Sequence, residues 1–386
     1  MRILMLLESD FPPDIRVENE ASALIRDGHE VHVACYSHQK QYTVREDLPY
    51  AIHKTYIPPL VYKASVGALK SGIYFRFWRK YLNRIMRLHA FDAIHVHDLP
   101  LARVGYELSR RKGIRFTLDL HENWPALLDI ATHTQSMLGK ILSSGSQWRR
   151  YEKRYAELAD DVIVVVEEAR DRLARLGIEA SKIHVVSNTV DPGHFDFPAQ
   201  KKDSRYVTMI YGGGINRHRG LQTVIEALPE IAAGIPNIRL LIIGPGSYTD
   251  ALKQMTVALN VESLVTFRDR VPLEELLREV SKADIALIPH LKTAHTDSTI
   301  PHKLFQYMYA GIPILASDCA PLKRIIEETG TGVCFRSQDP DSFAESLTRL
   351  LSDKQLLQKI PDNGKRWVGQ KYNWENDARI LCEIYR

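Results

Sequence analysis

Only four cysteines occur in 386 residues, and Cys35, Cys319, Cys334 and Cys382 form no CxxC pair and stand beside no histidine ligands. That scatter speaks against a zinc site and against a disulfide framework, and it fits a reducing compartment such as the cytoplasm. Long apolar runs are also missing: none reaches the roughly 20 residues that span a bilayer. The opening MRILMLLESDFPPD holds one basic residue and a short apolar run that meets acidic residues and a Pro-Pro pair. It reads as a first buried strand rather than a signal peptide. Neither sign of charge dominates, the formal net being +4, and low-complexity tracts and short repeats are absent. A hydrophobic fraction of 45% with 25% charged residues is that of an ordinary folded chain, which excludes wholesale disorder.

What is present is an alternation. Short apolar runs (RILMLLE, EVHVACY, DAIHVHD, IRFTLDL, DVIVVV) are separated by helical patterns such as RVENEASALIRDG and ARVGYELSRRKG. The second half repeats the scheme with YVTMIYGG, IRLLIIG, LVTF, DIALIPH and IPILAS. Such alternation predicts parallel sheets covered on both faces. The length exceeds what one core usually supports, so the expected architecture is α/β, two doubly wound Rossmann-like domains facing a central cleft. Residues 1–195 form the first and 196–372 the second, joined through the polar segment at 192–204. Ligands of open parallel sheets bind beyond the carboxyl ends of the strands.

Residues 61–90 contain seven Lys or Arg, no Asp or Glu, and interleaved Tyr, Phe and Trp. Such a segment can lie on an anionic membrane surface, which would place the protein at the inner face of the cytoplasmic membrane. The plainer reading is a solvated helix face whose aromatics pack inward. No nucleic-acid motif accompanies the patch.

Three stretches carry chemistry. YGGGINRHRGLQTVIEAL runs from a strand through consecutive glycines into a helix, so backbone can approach a ligand closely while Arg217 and Arg219 supply cations, the makings of a diphosphate cradle. HVHDLP and LDLHENWPA each set a histidine and a carboxylate at a strand's carboxyl end, which makes His97, Asp98, His121 and Glu122 candidates to face the cleft. STIPHKLFQYMYAGIPILAS predicts a loop, a short helix from Pro301 to Gly311 and a buried strand. His302, Lys303 and Gln306 then share one polar face while Leu304 and Met308 fill the core.

In their order and spacing, YGGGINRHRG, IRLLIIGPG, VPLEELLREVSKADIALIPH and PHKLFQYMYAGIPILASD resemble the donor domain of retaining GT-B glycosyltransferases of family four, the glycosyl transferases group 1. FPPDIRVENEASALIRDGHEVHV, HVHDLPLA, LDLHENWP and VVSNTVDPGHF resemble the first domain, and YNWENDARILCEIYR resembles the last helix, which at 373–386 crosses back to the N-terminal domain. The resemblance implies transfer of a sugar from a nucleotide-diphosphate sugar to an acceptor hydroxyl with retention, on a glycan or lipid-linked acceptor of surface polysaccharide or glycoconjugate synthesis. It needs no cofactor and no metal. Arg219 takes the place of the phosphate-binding lysine, Gly213 matches the loop glycine, and His121 matches the histidine beside the transferred sugar. The loop Ser298, Thr299, Ile300 and the start of the next helix with Lys303 match the segment touching sugar and diphosphate, and Gln306 matches the glutamate on the ribose.

The family's paired glutamates are replaced by Ser298 and Gln306, with Asp297 as the substitute charge, and Gly214 stands where an arginine is usual, with Arg217 as its replacement. An amide still bonds ribose hydroxyls. On the acceptor side the candidates are Asp98, His97 and Glu122, together with Asp14 and Arg16, read as the most exposed charges of their loop. A sugar-nucleotide epimerase of the same architecture, a non-catalytic nucleotide- or glycan-binding member, and a membrane-surface module built on residues 61–90 are the alternatives.

Overall fold

A computed structural model of the chain describes residues 1–40, 43–45, 48–130, 143–194 and 203–386. Most of the expected 192–204 linker lies outside them. The chain divides into two compact units, Met1–Ser187 with Glu375–Arg386, and Asn188–Trp374. The division falls between Ser187 and Asn188 rather than at 195/196 because the following residues pair inside the second unit: Val190 bridges Asn373, and its carbonyl accepts from the Trp374 amide.

Eight strands build the sheet of the first unit: β1 (Arg2–Leu6), β2 (Glu30–Ser37), β3 (Thr43–Arg45), β4 (Ala51–Tyr56), β5 (Ala93–His97), β6 (Arg115–Leu120), β7 (Asp161–Val164) and β8 (Ile183–Val185). Their order is β3-β4-β2-β1-β5-β6-β7-β8, parallel throughout except for the β3–β4 edge pair. The central strands β1 and β5 are buried almost end to end, as helices on both faces require. The helix Ile15–Arg26 shows how one cover forms. Asp14 caps its start by accepting from the Arg16 and Val17 amides, and its buried face carries Val17, Ala21 and Leu24.

The second unit holds a six-stranded, all-parallel sheet in the order β11-β10-β9-β12-β13-β14. Its strands are β9 (Val207–Gly212), β10 (Ile238–Ile243), β11 (Val265–Arg268), β12 (Ile285–Ile288), β13 (Ile314–Ser317) and β14 (Gly332–Phe335). Strands β3, β4 and β14 add edges beyond the apolar runs visible in the sequence. They are short and only partly apolar, so tertiary pairing rather than pattern makes them strands.

The basic aromatic segment belongs to the core. In the helix Ile73–Leu88, Tyr74, Phe75, Trp78 and Tyr81 are buried, so those rings cannot sit among lipid headgroups. What faces out is a cationic stripe with Arg76, Lys80 and Arg87 exposed. Among the described residues no helix is long and apolar enough to cross a membrane. The Asp339 carboxylate caps the helix Pro340–Ser352.

Candidate functional site

In the second unit β9 runs out into the glycine turn. Gly213 has φ +135, and a Cβ there would meet Lys303 Nζ at 2.9 Å. Only glycine admits the ammonium this close to the backbone. The turn is braced on three sides. The Tyr211 hydroxyl donates to the Gly214 carbonyl at 2.8 Å, the Gly212 amide donates to the Tyr307 hydroxyl at 3.2 Å, and the Ile215 amide donates to the Pro245 carbonyl at 2.8 Å. The loop after β10 packs so tightly that a Cβ on Gly244 would stand 2.1 Å from the Gly213 carbonyl oxygen.

Two cations meet beside that turn. Lys303, on the helix His302–Tyr309, lays its ammonium over the Tyr211 ring, 3.7 Å from the centroid. Arg219 Nη1 donates to His290 Nε2 at 3.2 Å. Burial, followed by repulsion from Arg219, pushes the Lys303 ammonium well below its usual pKa. Burial and then the same arginine keep His290 neutral, able to accept that bond. Neither Lys303 nor Arg219 has a carboxylate within ion-pair distance among the described residues. Two like charges drawn together without a counterion are costly, and the arrangement suits an anion.

The neighbouring loop departs from expectation. Ser298 is buried, and its hydroxyl donates to the Ala294 and His295 carbonyls, at 2.7 and 3.2 Å. Ile300 is buried too, and Thr299 donates to the His295 carbonyl. Asp297, read as the substitute charge, accepts from the Ala320 amide at 2.8 Å and so caps the helix Ala320–Thr329. Gln306 is half-buried beside Lys303 on the polar face, while Leu304, Phe305, Tyr307 and Met308 fill the core. Arg217 and Gly214 are exposed.

In the first unit a cavity of about 570 Å³ opens at the carboxyl ends of β1, β2, β5 and β6, with Glu8, Asp14, Tyr62, Asp98, His121 and Trp148 in its wall. His121 Nε2 lies 3.0 Å from Asp98 Oδ2, and its Nδ1 lies 3.4 Å from Asp119 Oδ2. Burial alone would lower its pKa, but the two carboxylates outweigh burial and hold it well above the usual value. His121 is therefore an imidazolium at neutral pH, a donor rather than a base. Asp98 is held at φ +63, ψ 159, a region nearly reserved for glycine and costly for other residues.

Two expected ligand contacts are interior. His97 is fully buried and donates to Asp119 Oδ2 at 3.0 Å. Arg16, read as exposed, is 4% exposed: it grips Asp119 through Nε at 3.1 Å and Nη2 at 2.8 Å, Glu20 at 3.0 Å and the Val186 carbonyl at 3.1 Å. A guanidinium among two buried carboxylates is satisfied by them, so neither residue is left for an acceptor. Asp14 caps its helix and reaches the cavity, and Glu122, next to His121 in sequence, is half-buried.

Sequence reasoning missed Asp119, His290 and Glu8. Asp119 lies inside the apolar run of β6 and His290 just after β12, with no local sign of their partners. Glu8 is the second residue after β1. Burial, reinforced by Asp98 and opposed by the Tyr74 hydroxyl, pushes its carboxyl up to about 8, which gives the cavity a neutral acid at pH 7.

Comparison with known proteins bears on both units. Residues 15–194 match the family model Glycosyltransferase Family 4, and residues 194–367 match the model Glycosyl transferases group 1. An uncharacterised glycosyltransferase of Methanocaldococcus jannaschii is 23% identical, over 98% of this chain and 96% of that protein. Sucrose-phosphate synthase of Thermosynechococcus elongatus superposes with a TM-score of 0.81 at 19% identity, covering 100% of this chain and 98% of that one. Anabaena HepE in complex with UDP-glucose gives 0.71 at 16%, covering 100% and 99%. At these identities the structural likeness carries the fold alone.

Proposed function

Because the chain belongs to the group 1 glycosyltransferases of GT-B fold, we propose that it moves a sugar from a nucleotide-diphosphate donor to an acceptor hydroxyl with retention, in the assembly of a surface glycan. The observation that carries the donor reading is the pair Lys303 and Arg219 at the Gly213 turn, two cations with no counterion among the described residues. Departure of the nucleotide builds negative charge on the β-phosphate, and fixed cations in a dry site stabilise that charge. Since the protein supplies these cations itself, the reaction runs without a metal. Gln306 bonds the ribose, and Arg217 and the backbone of 213–214 and 298–300 complete the donor site.

On the acceptor side His121 carries its proton already. It orients the sugar and stabilises charge, and the acceptor's proton passes to the departing phosphate oxygen on the same face, which preserves the anomeric configuration. Asp98, Asp14, Glu122 and the protonated Glu8 bond the acceptor's hydroxyls. A lipid-linked acceptor fits the cationic stripe on the helix Ile73–Leu88, which would rest on an anionic membrane surface.

Thermal shift against UDP, GDP and their sugars, with UDP-glucose first because HepE binds it, tests the donor site. Proton NMR of the glycoside formed then tests retention. The expected result is stabilisation by a nucleoside diphosphate and an axial or equatorial product matching the donor's configuration. Epimerised donor released without an acceptor would instead identify an epimerase, and tight nucleotide binding with no turnover over a range of acceptors a non-catalytic binder.

A further inference from the structure

A second cluster of chemistry-bearing side chains lies toward the amino ends of the strands in the first unit, away from the cavity. His32 is the third residue of β2 and His53 the third of β4, in a parallel pair whose register sets His32 beside Ala51 and Ala34 beside His53. His89 ends the helix Ile73–Leu88. Their ligand nitrogens all lie within 4.8 Å of one another. His32 and His53 are 5% and 2% exposed, and His89 is half-buried.

We propose that His32, His53 and His89 bind one divalent transition-metal ion, zinc by preference, which ties the β2–β4 edge to the end of the helix that covers it. Three observations carry this.

The first is the spacing of the rings. Imidazoles on a tetrahedral zinc, at Zn–N of about 2.0–2.1 Å, have centroids roughly 5 Å apart. The three centroid distances here are 5.1, 4.9 and 5.4 Å.

The second is protonation. His32 Nε2 faces Glu30 Oε1 at 2.9 Å. A carboxylate only accepts, so that nitrogen carries the hydrogen and leaves the lone pair on Nδ1, which lies 2.8 Å from His53 Nε2. The two nitrogens now face each other head-on across that bond, so a metal bound there needs His53 to carry its own hydrogen on Nδ1 and both rings to turn until their lone pairs converge on the ion, the nitrogens parting by about half an ångström toward the roughly 3.4 Å spacing of zinc ligands. No net proton is released.

The third is the surrounding shell. A carboxylate on the far nitrogen of a ligating histidine orients the ring and raises its basicity. Glu30 does this for His32 while its other oxygen pairs with Arg2 at 2.8 Å, so the nearby guanidinium is neutralised. The Phe91 ring stands edge-on to His32 at 5.1 Å. Cys35 is no rival ligand, since its thiol donates to the His53 carbonyl at 3.6 Å. An all-imidazole set suits zinc, nickel, cobalt or copper rather than magnesium or calcium, and the partial exposure of His89 leaves an entry and a fourth position for water.

The test uses the full chain without a polyhistidine tag, stripped with EDTA and titrated with cobalt. Expected are the visible bands of tetrahedral cobalt, saturating at about one equivalent, bleached by zinc, together with a zinc-dependent rise in Tm that EDTA reverses. His89→Gln, at a partly exposed position, abolishes the bands while far-UV circular dichroism is unchanged. Glu30→Gln weakens cobalt binding roughly 10–100-fold. Absence of the bands in the wild-type chain, or bands of equal strength in His89→Gln, would overturn the proposal and leave the cluster as packed imidazoles. His53→Phe, which keeps a ring in the core, decides the matter should His89→Gln misfold. The outcome is independent of sugar transfer.

Discussion

The arginines of the two units make opposite bargains. Arg16 lies in the first unit with Asp119, Glu20 and the Val186 carbonyl all bonded to its guanidinium. In the second, Arg219 reaches only a neutral histidine among the described residues and shares its surroundings with Lys303. Arg16 is buried and Arg219 half-buried, and among the described residues only Arg16 meets carboxylates. A buried charge that finds its partners inside the fold belongs to the scaffold, whereas one left without them marks the place of a ligand.

The comparison breaks first at Arg16. Arg16→Met should strip the guanidinium from Asp119 and Glu20, leaving Asp119 only its histidine neighbours, and cost roughly 3–5 kcal/mol, read by urea unfolding at pH 7. A stability within error of wild type would remove the distinction between the units.

Arg219→Ala should do the reverse. Transfer should fall about 10²–10³-fold while Tm stays level or rises, since Lys303 loses a like-charged neighbour. Initial rates at saturating acceptor and a melt of the same preparation check both halves.

A smaller effect sharpens the picture at His121. Its folded pKa lies above the unfolded value near 6.5, so its contribution is complete below that pH and disappears as pH rises through the folded pKa. The stability gap between wild type and His121→Gln should therefore narrow toward alkaline pH. Glu8 acts on the same profile: stability should decline between about 4.5 and about 8, where the unfolded chain has released this proton and the folded chain still holds it, and Glu8→Gln should flatten that decline.

The smallest change is expected on the outer helix face. Lys80 is exposed and solvated, so Lys80→Gln should alter stability by less than about 0.5 kcal/mol. Its readout is sedimentation with anionic vesicles, where each charge near the surface contributes about 1 kcal/mol. Unchanged sedimentation would separate the stripe from any membrane.

Much of this was legible before any coordinates. The apolar runs mark β1, β2, β5–β7 and β9–β13, the glycine turn marks the carboxyl end of β9, and helical spacing puts His302, Lys303 and Gln306 on one helix face. The misreadings share a cause. Arg16 looked exposed because it follows a Pro-Pro pair and opens a helix, and His97 looked available because it ends a strand. Ser298 and Asp297 looked like ligands because nothing nearby shows that they bond their own loop and the next helix. His32, His53 and His89 form no motif because they are far apart along the chain and come together only through the β2–β4 pairing and the end of the helix Ile73–Leu88.

Sequence alone determined the two parallel sheets and the positions of the turns between them, because periodicity, apolar runs and glycine's conformational freedom act over a few residues. Only the tertiary structure decided which charges are satisfied, since Arg16 and Asp119 are 103 residues apart and His95 and Tyr385 are 290 apart. Desolvation is set by everything that packs around a group, and a polar side chain acquires its role only when the fold has determined whether a partner, water or a ligand will meet it.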